Sequence, residues 1–303
     1  MTSLTGLPAP AKLNVFLRVV GRRQDGYHLL QSLFVLLDWQ DTLHLERRAD
    51  GLVRRRDSGV ALPEQDLCVR AARILQEHSG CRWGVDISIE KRIPMGAGMG
   101  GGSSDAATVL LALNRLWELG CTRAQLAELG VRLGADVPFF IGGANAIVQG
   151  IGEELHPVAL RPRRYLVVKP PVEVLTRTIF ADPSLKRDSK PATLEGFLAD
   201  PSVLDRLLDS QPAHGGYEIG NDLQGVAVRH AAPVGHALEW LESRWGNSLM
   251  TGSGSAVFAR ETDANARLMA AAERPGDPEG LPDGWVGRWC RSLPEHPLAD
   301  WAG

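Results

Sequence analysis

Three clusters of residues in this chain have the types and spacing to do chemistry. The first is KRIPMGAGMGGGSSDAAT, residues 91–108, where Gly96, Gly98, Gly100, Gly101 and Gly102 run into Ser103, Ser104 and Asp105. Glycines let backbone N–H groups turn inward and approach an anion without a Cβ in the way. A helix beginning there adds unpaired N–H groups and the positive end of its dipole. Together these make a cradle for phosphate. The second cluster is GADVPFFIGG, residues 134–143, in which Asp136 sits at a break in regular structure, because Val137 precedes a proline and so avoids the α region. A carboxylate on such a turn suits a general base, and it equally suits a helix cap. The third is scattered: Tyr27 and His28 follow an Asp25-Gly26 turn, and Phe180 closes LTRTIF. Aromatic faces of this kind stack on a base or pack in a core.

The elements that must hold these groups follow from periodicity. WGVDISIEK alternates Val85, Ile87 and Ile89 with Asp86, Ser88 and Glu90, the pattern of a half-buried strand. Beyond the glycines, Ala106, Val109, Leu110, Leu113 and Trp117 recur at helical spacing, predicting a helix to about Leu119. Strand, glycine loop and helix in that order argue against a flexible linker. Leu13, Val15, Leu17 and Val19 alternate with Lys12, Asn14, Phe16 and Arg18, predicting a strand that starts after Pro10 with Lys12 and Asn14 on one face. Taken alone, Lys12 reads as a solvated lysine. YHLLQSLFVLL is a second extended run, residues 66–79 and 122–133 read as helices, and ANAIVQGIGEELHPV reads as a hairpin. Arg161-Pro162-Arg163-Arg164 reads as a linker, giving one domain over residues 1–160 and a second over 161–303. In the second, YLVVKP and SAVFAR are predicted strands, residues 193–209 and 221–245 helical, and 274–284 a loop. Arg54-Arg55-Arg56 reads as a solvated loop face.

Several functions are excluded. There is no GxxxxGK[ST], so a Walker loop would lack its lysine. Gly96, Gly98 and Gly101 fit GxGxxG formally, but the position far from the N-terminus and the missing acidic partner exclude a dinucleotide site. A net charge of −3 without a basic patch gives no nucleic-acid surface. No apolar stretch is long enough for a bilayer and no cationic leader opens the chain, so a cytoplasmic protein without membrane partners is expected. The four cysteines show no CxxC spacing and are expected to be reduced.

The glycine segment resembles the second signature of the GHMP kinase superfamily. Its longer form, PMGAGMGGGSSDAA, looks like the branch acting on 4-diphosphocytidyl-2-C-methyl-D-erythritol. PAKLN at 10–14, GYH at 26–28, GADVP at 134–138, GNDL at 220–223 and TGSGSAVFA at 251–259 are similar to further family motifs. The resemblance implies an α+β, two-domain GHMP kinase fold with the active site in the interdomain cleft, a left-handed βαβ crossover and a ferredoxin-like second domain. It implies transfer of the ATP γ-phosphate to the substrate 2-hydroxyl, a step of non-mevalonate isoprenoid synthesis. Lys12 and Asp136 would be catalytic. Pro94, Met95, Gly96, Ala97, Gly98, Met99, Gly100, Gly101, Gly102, Ser103 and Ser104 would hold ATP, with Ser104 also the candidate for Mg²⁺. Asn14, Tyr27, His28, Thr176 and Phe180 would hold the small-molecule substrate. Kinases of homoserine or mevalonate would not need GYH or Phe180, and a catalytically inert nucleotide-binding regulator would not need Lys12 and Asp136. One departure stands out: before LCVRAARIL the branch has Asn and this chain has Asp66, which puts the adenine contacts in question. The segment after Arg274 carries no recognisable functional signal.

Overall fold

The computed structural model describes residues 1–57, 66–192, 194–209, 219–273 and 278–302. Its first half opens with two long antiparallel strands, β1 (Ser3–Arg22) and β2 (His28–Arg48), followed by β3 (Val53–Asp57), α1 (Leu67–Ser79) and β4 (Gly84–Glu90). Then come α2 (Gly101–Leu116), α3 (Arg123–Val131), α4 (Val137–Gly142) and the hairpin β5 (Ala146–Gln149) and β6 (Glu154–Pro157). The strands form one sheet in the order β3-β4-β2-β5-β6, with β1 paired to β2. The crossover through α1 leaves β3 and β4 parallel.

The second half holds β7 (Arg164–Lys169), α5 (Thr176–Ala181), α6 (Leu194–Ala199), α7 (Pro201–Asp209), α8 (Gln224–His230) and α9 (Ala232–Trp245). It ends with β8 (Leu249–Met250), β9 (Val257–Arg260), α10 (Ala266–Ala272) and β10 (Val286–Arg291). Here the sheet order is β10-β7-β9-β8, antiparallel throughout. The whole is the expected α+β architecture. Of the expected loop at 274–284, residues 274–277 lie outside the described residues.

Several expectations need correction. β1 begins at Ser3, well before Pro10, because it pairs only through β2 at that level and its prolines cost no ladder bond. Register shifts fall between Pro10 and Lys12 and between Asn14 and Phe16, so Phe16 turns into the core while Lys12 and Asn14 share a face. Asp86 is not on a solvated face: it is buried and takes hydrogen bonds from Arg48 at 2.9 Å and Arg56 at 2.7 Å. Arg54-Arg55-Arg56 is part of β3, paired in parallel with β4, rather than a loop, and Arg55 is paired to Asp66. Nor is 161–164 a free linker. Arg163 is buried against Asp205 and Asp209, at 3.0 and 2.5 Å. Val137 is the first residue of α4, with Pro138 in the first turn where its missing N–H costs nothing.

The core explains how the site is held. One cluster packs α1, α2 and α4 onto the first sheet and includes Leu298 and Ala302 from the far end of the sequence. A second joins Leu13, Val15, Leu33 and Val35 to Tyr165, Val167 and Phe258, so β1 and β2 serve both sheets. Arg123 fastens residues 299–302, donating to the carbonyls of Ile141 at 2.7 Å and Ala302 at 2.8 Å, and also to Ala299. Among the described residues no helix is long and apolar enough to cross a membrane.

Candidate active site

The glycine loop bridges β4 and α2 as the sequence requires. Gly98 and Gly100 have φ of +73° and +71°, which L side chains rarely adopt. A Cβ on Gly98 would stand 2.4 Å from the Thr251 carbonyl, and one on Gly100 would stand 3.0 Å from the Phe140 ring. The close approach has a purpose. Ser255 N–H donates to Gly96 O at 3.1 Å and Ala256 N–H to Ala97 O at 3.2 Å, tying the 251–259 motif to the loop. On the other side Lys12 N–H donates to Met99 O at 3.0 Å. Gly100 caps α2 without any side-chain bond, leaving the first amides of a 16-residue helix for an anion. Pro94 through Ser103 line a cavity of about 440 Å³ beside it, together with Asp66 and Cys68.

Lys12 is not solvated; it is 3% exposed. Its Nζ donates to Asn14 Oδ1, lies 3.4 Å from Asp136 Oδ2 and sits 4.5 Å from the centre of the Phe34 ring. Asn14 is itself fixed, donating to Ser32 Oγ at 2.9 Å through Nδ2 and to Thr251 Oγ1 at 2.9 Å through its backbone. Asp136 occupies the cap position of α4 but makes no capping bond, so its carboxylate is turned to Lys12 instead. Lys12, Asn14, Asp136, Gly98 and Gly100 line a smaller cavity of about 190 Å³ with Thr176, Phe180 and Ser253 from the second half. Thr176 and Ser253 hydroxyls hydrogen-bond each other at 2.7 Å across that wall.

A third cavity, about 590 Å³, continues past Thr176 to Tyr27, His28 and Phe180. Tyr27 is 61% exposed, so it is no packed core aromatic. The His28 and Phe180 rings face each other at 4.9 Å with a 31° tilt. Arg187, absent from the sequence reasoning, donates from Nε to His28 Nε2 at 3.0 Å. Burial, then the charges of Arg187 and Arg22, pushes the His28 pKa down.

The two serines part company. Ser103 lines the 440 Å³ cavity, whereas the Ser104 hydroxyl is buried and finds no hydrogen-bond partner among the described residues. Asp66 spends its carboxylate on the Val69 amide at 2.8 Å and on Arg55, although it reaches the 440 Å³ cavity. Sequence reasoning also missed Lys91, which lies between Asp41 and Asp105 at the mouth of the loop. Asp41 Oδ1 takes the Ile93 amide at 2.8 Å, so the trio clamps the entry of the loop. Burial raises the Asp105 carboxyl, with Lys91 pulling the other way. Asp105 stood out beside the glycines, but nothing in the spacing marked its link to Asp41, because Asp41 and Lys91 meet across 50 residues of chain.

Known proteins share this design. Residues 66–144 match the GHMP kinases N terminal domain. The chain is 53% identical over 304 residues, all of its own length and 99% of the relative's, to 4-diphosphocytidyl-2-C-methyl-D-erythritol kinase of Methylibium petroleiphilum. Its counterpart of the same name in Delftia acidovorans is 52% identical over 99% of this chain and 98% of its own. A crystal structure of 4-(cytidine 5'-diphospho)-2C-methyl-D-erythritol kinase superposes with a TM-score of 0.72 at 35% identity, covering 96% of this chain and 98% of that one. Homoserine kinase of Cytophaga hutchinsonii, at 16% identity and a TM-score of 0.64 over 98% and 96% of the two chains, shares the fold. This chain belongs to the 4-diphosphocytidyl-2-C-methyl-D-erythritol kinase family of the GHMP kinases.

Proposed function

We propose that the chain transfers the γ-phosphate of ATP to the 2-hydroxyl of 4-diphosphocytidyl-2-C-methyl-D-erythritol, in the cytoplasm. The observation that carries this is the Lys12–Asp136 pair, 3.4 Å apart, where the phosphate cavity meets the cavity leading to Tyr27, His28 and Phe180. Residues 1–160 supply the phosphate loop and the catalytic pair, and residues 161–303 supply Thr176, Phe180 and the 251–259 loop.

Phosphoryl transfer needs positioning and charge stabilisation more than covalent chemistry from the protein. Backbone amides of residues 96–102 and the start of α2 hold the phosphates. Asp136 takes the proton of the attacking hydroxyl, and the absence of a capping bond leaves its carboxylate available for that. Lys12, already oriented by Asn14, places positive charge beside the reacting oxygens. Ser103, on the lining of the glycine-loop cavity, and Asp136, on that of the adjoining one, offer oxygens that would suit a magnesium ion held mainly by nucleotide phosphates. Ser104 is the less suited of the two serines, since its hydroxyl is buried away from both cavities, and among the described residues no His, Cys, Asp and Glu cluster would form an all-protein cage. When bound, the ion neutralises charge on the phosphate oxygens. Tyr27 and Phe180 stack the pyrimidine, and His28 reads its edge.

Purified protein should turn over the cytidyl substrate with ATP and Mg²⁺ but not homoserine or mevalonate under the same conditions. Turnover of either alternative without the cytidyl compound would overturn the specificity. ATP binding with no turnover of any of the three would make the chain a nucleotide-binding regulator.

A further inference from the structure

One side chain at the aromatic pocket has no part in phosphoryl transfer and belongs to none of the sequence motifs. Arg187 follows α5, and each of its three guanidinium nitrogens donates a hydrogen bond. Nη1 donates to Leu185 O at 3.0 Å, and Nη2 donates to Phe180 O at 3.0 Å and Asp182 O at 2.8 Å. These bonds fix it to the turn that carries Phe180. The remaining bond, from Nε to His28 Nε2 at 3.0 Å, crosses to β2. An arginine has no acceptor to offer, so the His28 nitrogen it meets must be a bare lone pair. A neutral imidazole carries one proton, which then resides on Nδ1.

We infer that Arg187 is a positioning residue that locks His28 as the neutral Nδ1–H form, so that the imidazole presents a donor, and not an acceptor, to the pyrimidine edge. The inference rests on the proposed cytidyl specificity. Cytosine offers O2 and N3 as acceptors and its exocyclic amine as a donor, so fixing the proton on Nδ1 selects the acceptor side of the ring. The same guanidinium holds the Phe180 carbonyl while His28 lies 4.9 Å from the Phe180 ring, so one residue sets both the hydrogen-bonding and the stacking wall. The surroundings oppose an imidazolium. Arg22 at the end of β1 and Arg177 on α5 line the same pocket, and Asp25, the carboxylate of that lining, is paired to Arg23 at 2.8 Å. Partial burial and the neighbouring cations lower the His28 pKa, so the neutral form prevails through physiological pH.

Nitrogen-edited imidazole spectra of the whole protein, with His28→Gln to identify the His28 signals, read the tautomer directly. In the unaltered protein Nδ1 should be protonated and Nε2 bare at neutral pH. Arg187→Met should redistribute the proton and move the His28 titration midpoint upward. It should raise KM for the cytidyl substrate about 5- to 30-fold while kcat and KM for ATP stay within about two-fold. Arg187→Lys keeps a cation and a donor and should recover part of the loss. Protonated Nε2 in the unaltered protein would overturn the inference. So would equal damage to both KM values and kcat, which marks a purely structural arginine. Should Arg187→Met not fold, Arg187→Lys and the wild-type spectrum still decide it. Failure of the unaltered protein to act on the cytidyl compound would instead remove the substrate reading, and the tautomer result is independent of it.

Discussion

The two ends of the cleft are built from different materials. At the end proposed to take phosphate the cavity wall is largely backbone: consecutive amides, glycines at positive φ, and a loop tied by main-chain bonds to residues 255 and 256. At the aromatic end it is side chains from well-separated parts of the sequence, with Tyr27 exposed and the His28 ring resting on Phe180. A charged, nearly featureless phosphate is served by many fixed dipoles. A flat heterocycle needs faces and a specific edge. Altering one end should therefore affect one ligand, while the Lys12–Asp136 pair between them should affect chemistry alone.

The largest expected effect tests that middle position. Asp136→Asn should lower kcat about 10²- to 10⁴-fold with little change in ATP affinity or thermal stability. Near-normal turnover in a folded variant would remove the carboxylate from the base role. At the phosphate end, Gly98→Ala pushes a methyl to 2.4 Å from the Thr251 carbonyl at a φ of +73°. The loop must part from the 251–255 segment, and ATP should bind about 10- to 100-fold more weakly by calorimetry. Undiminished ATP binding would dissolve the distinction between the two ends. At the aromatic end, Tyr27→Ala or Phe180→Ala should each cost the cytidyl substrate about 5- to 150-fold in affinity and leave ATP nearly unaffected. Equal losses for both ligands would point to damaged packing.

The smallest effect concerns pH. His296 is buried with its pKa pushed down to about 4 by burial and by Arg123, while the unfolded chain keeps the ordinary value. The unfolded state then binds the extra proton first. Stability from the neutral imidazole is complete above about pH 6.5 and is lost as pH falls towards 4. Wild type should lose about 1–2 kcal/mol more stability than His296→Asn between pH 7 and pH 5, measured by denaturant unfolding at each pH. Parallel losses would exclude His296 as the source.

The same contrast explains what was legible. The strand, loop and helix around residues 91–108 could be read because backbone recognition leaves glycines in one short run. Lys12 and Asp136 were recognised through family motifs; by residue type alone Lys12 reads as solvated, and only burial beside Asn14, Phe34 and Asp136 shows otherwise. Arg187, the Lys91 clamp and the buried Arg163 were invisible, since each acquires its meaning from partners tens of residues away. The polar alternation of β4 misled for a related reason. Asp86 is buried because two arginines arrive from β2 and β3, and periodicity carries no information about such visitors.

The placement of residues 298–302 ties the first half of the chain to its far end. Leu298 and Ala302 complete the core beneath α2 and α4, and Arg123 is held by carbonyls at both ends of that contact. During synthesis the first half therefore lacks these contacts until residues 298–302 have been made. Its final closure spans a sequence separation that carries a high loop entropy, which slows folding. An exposed apolar face on the half-made chain is the setting in which chaperone capture or aggregation competes with folding.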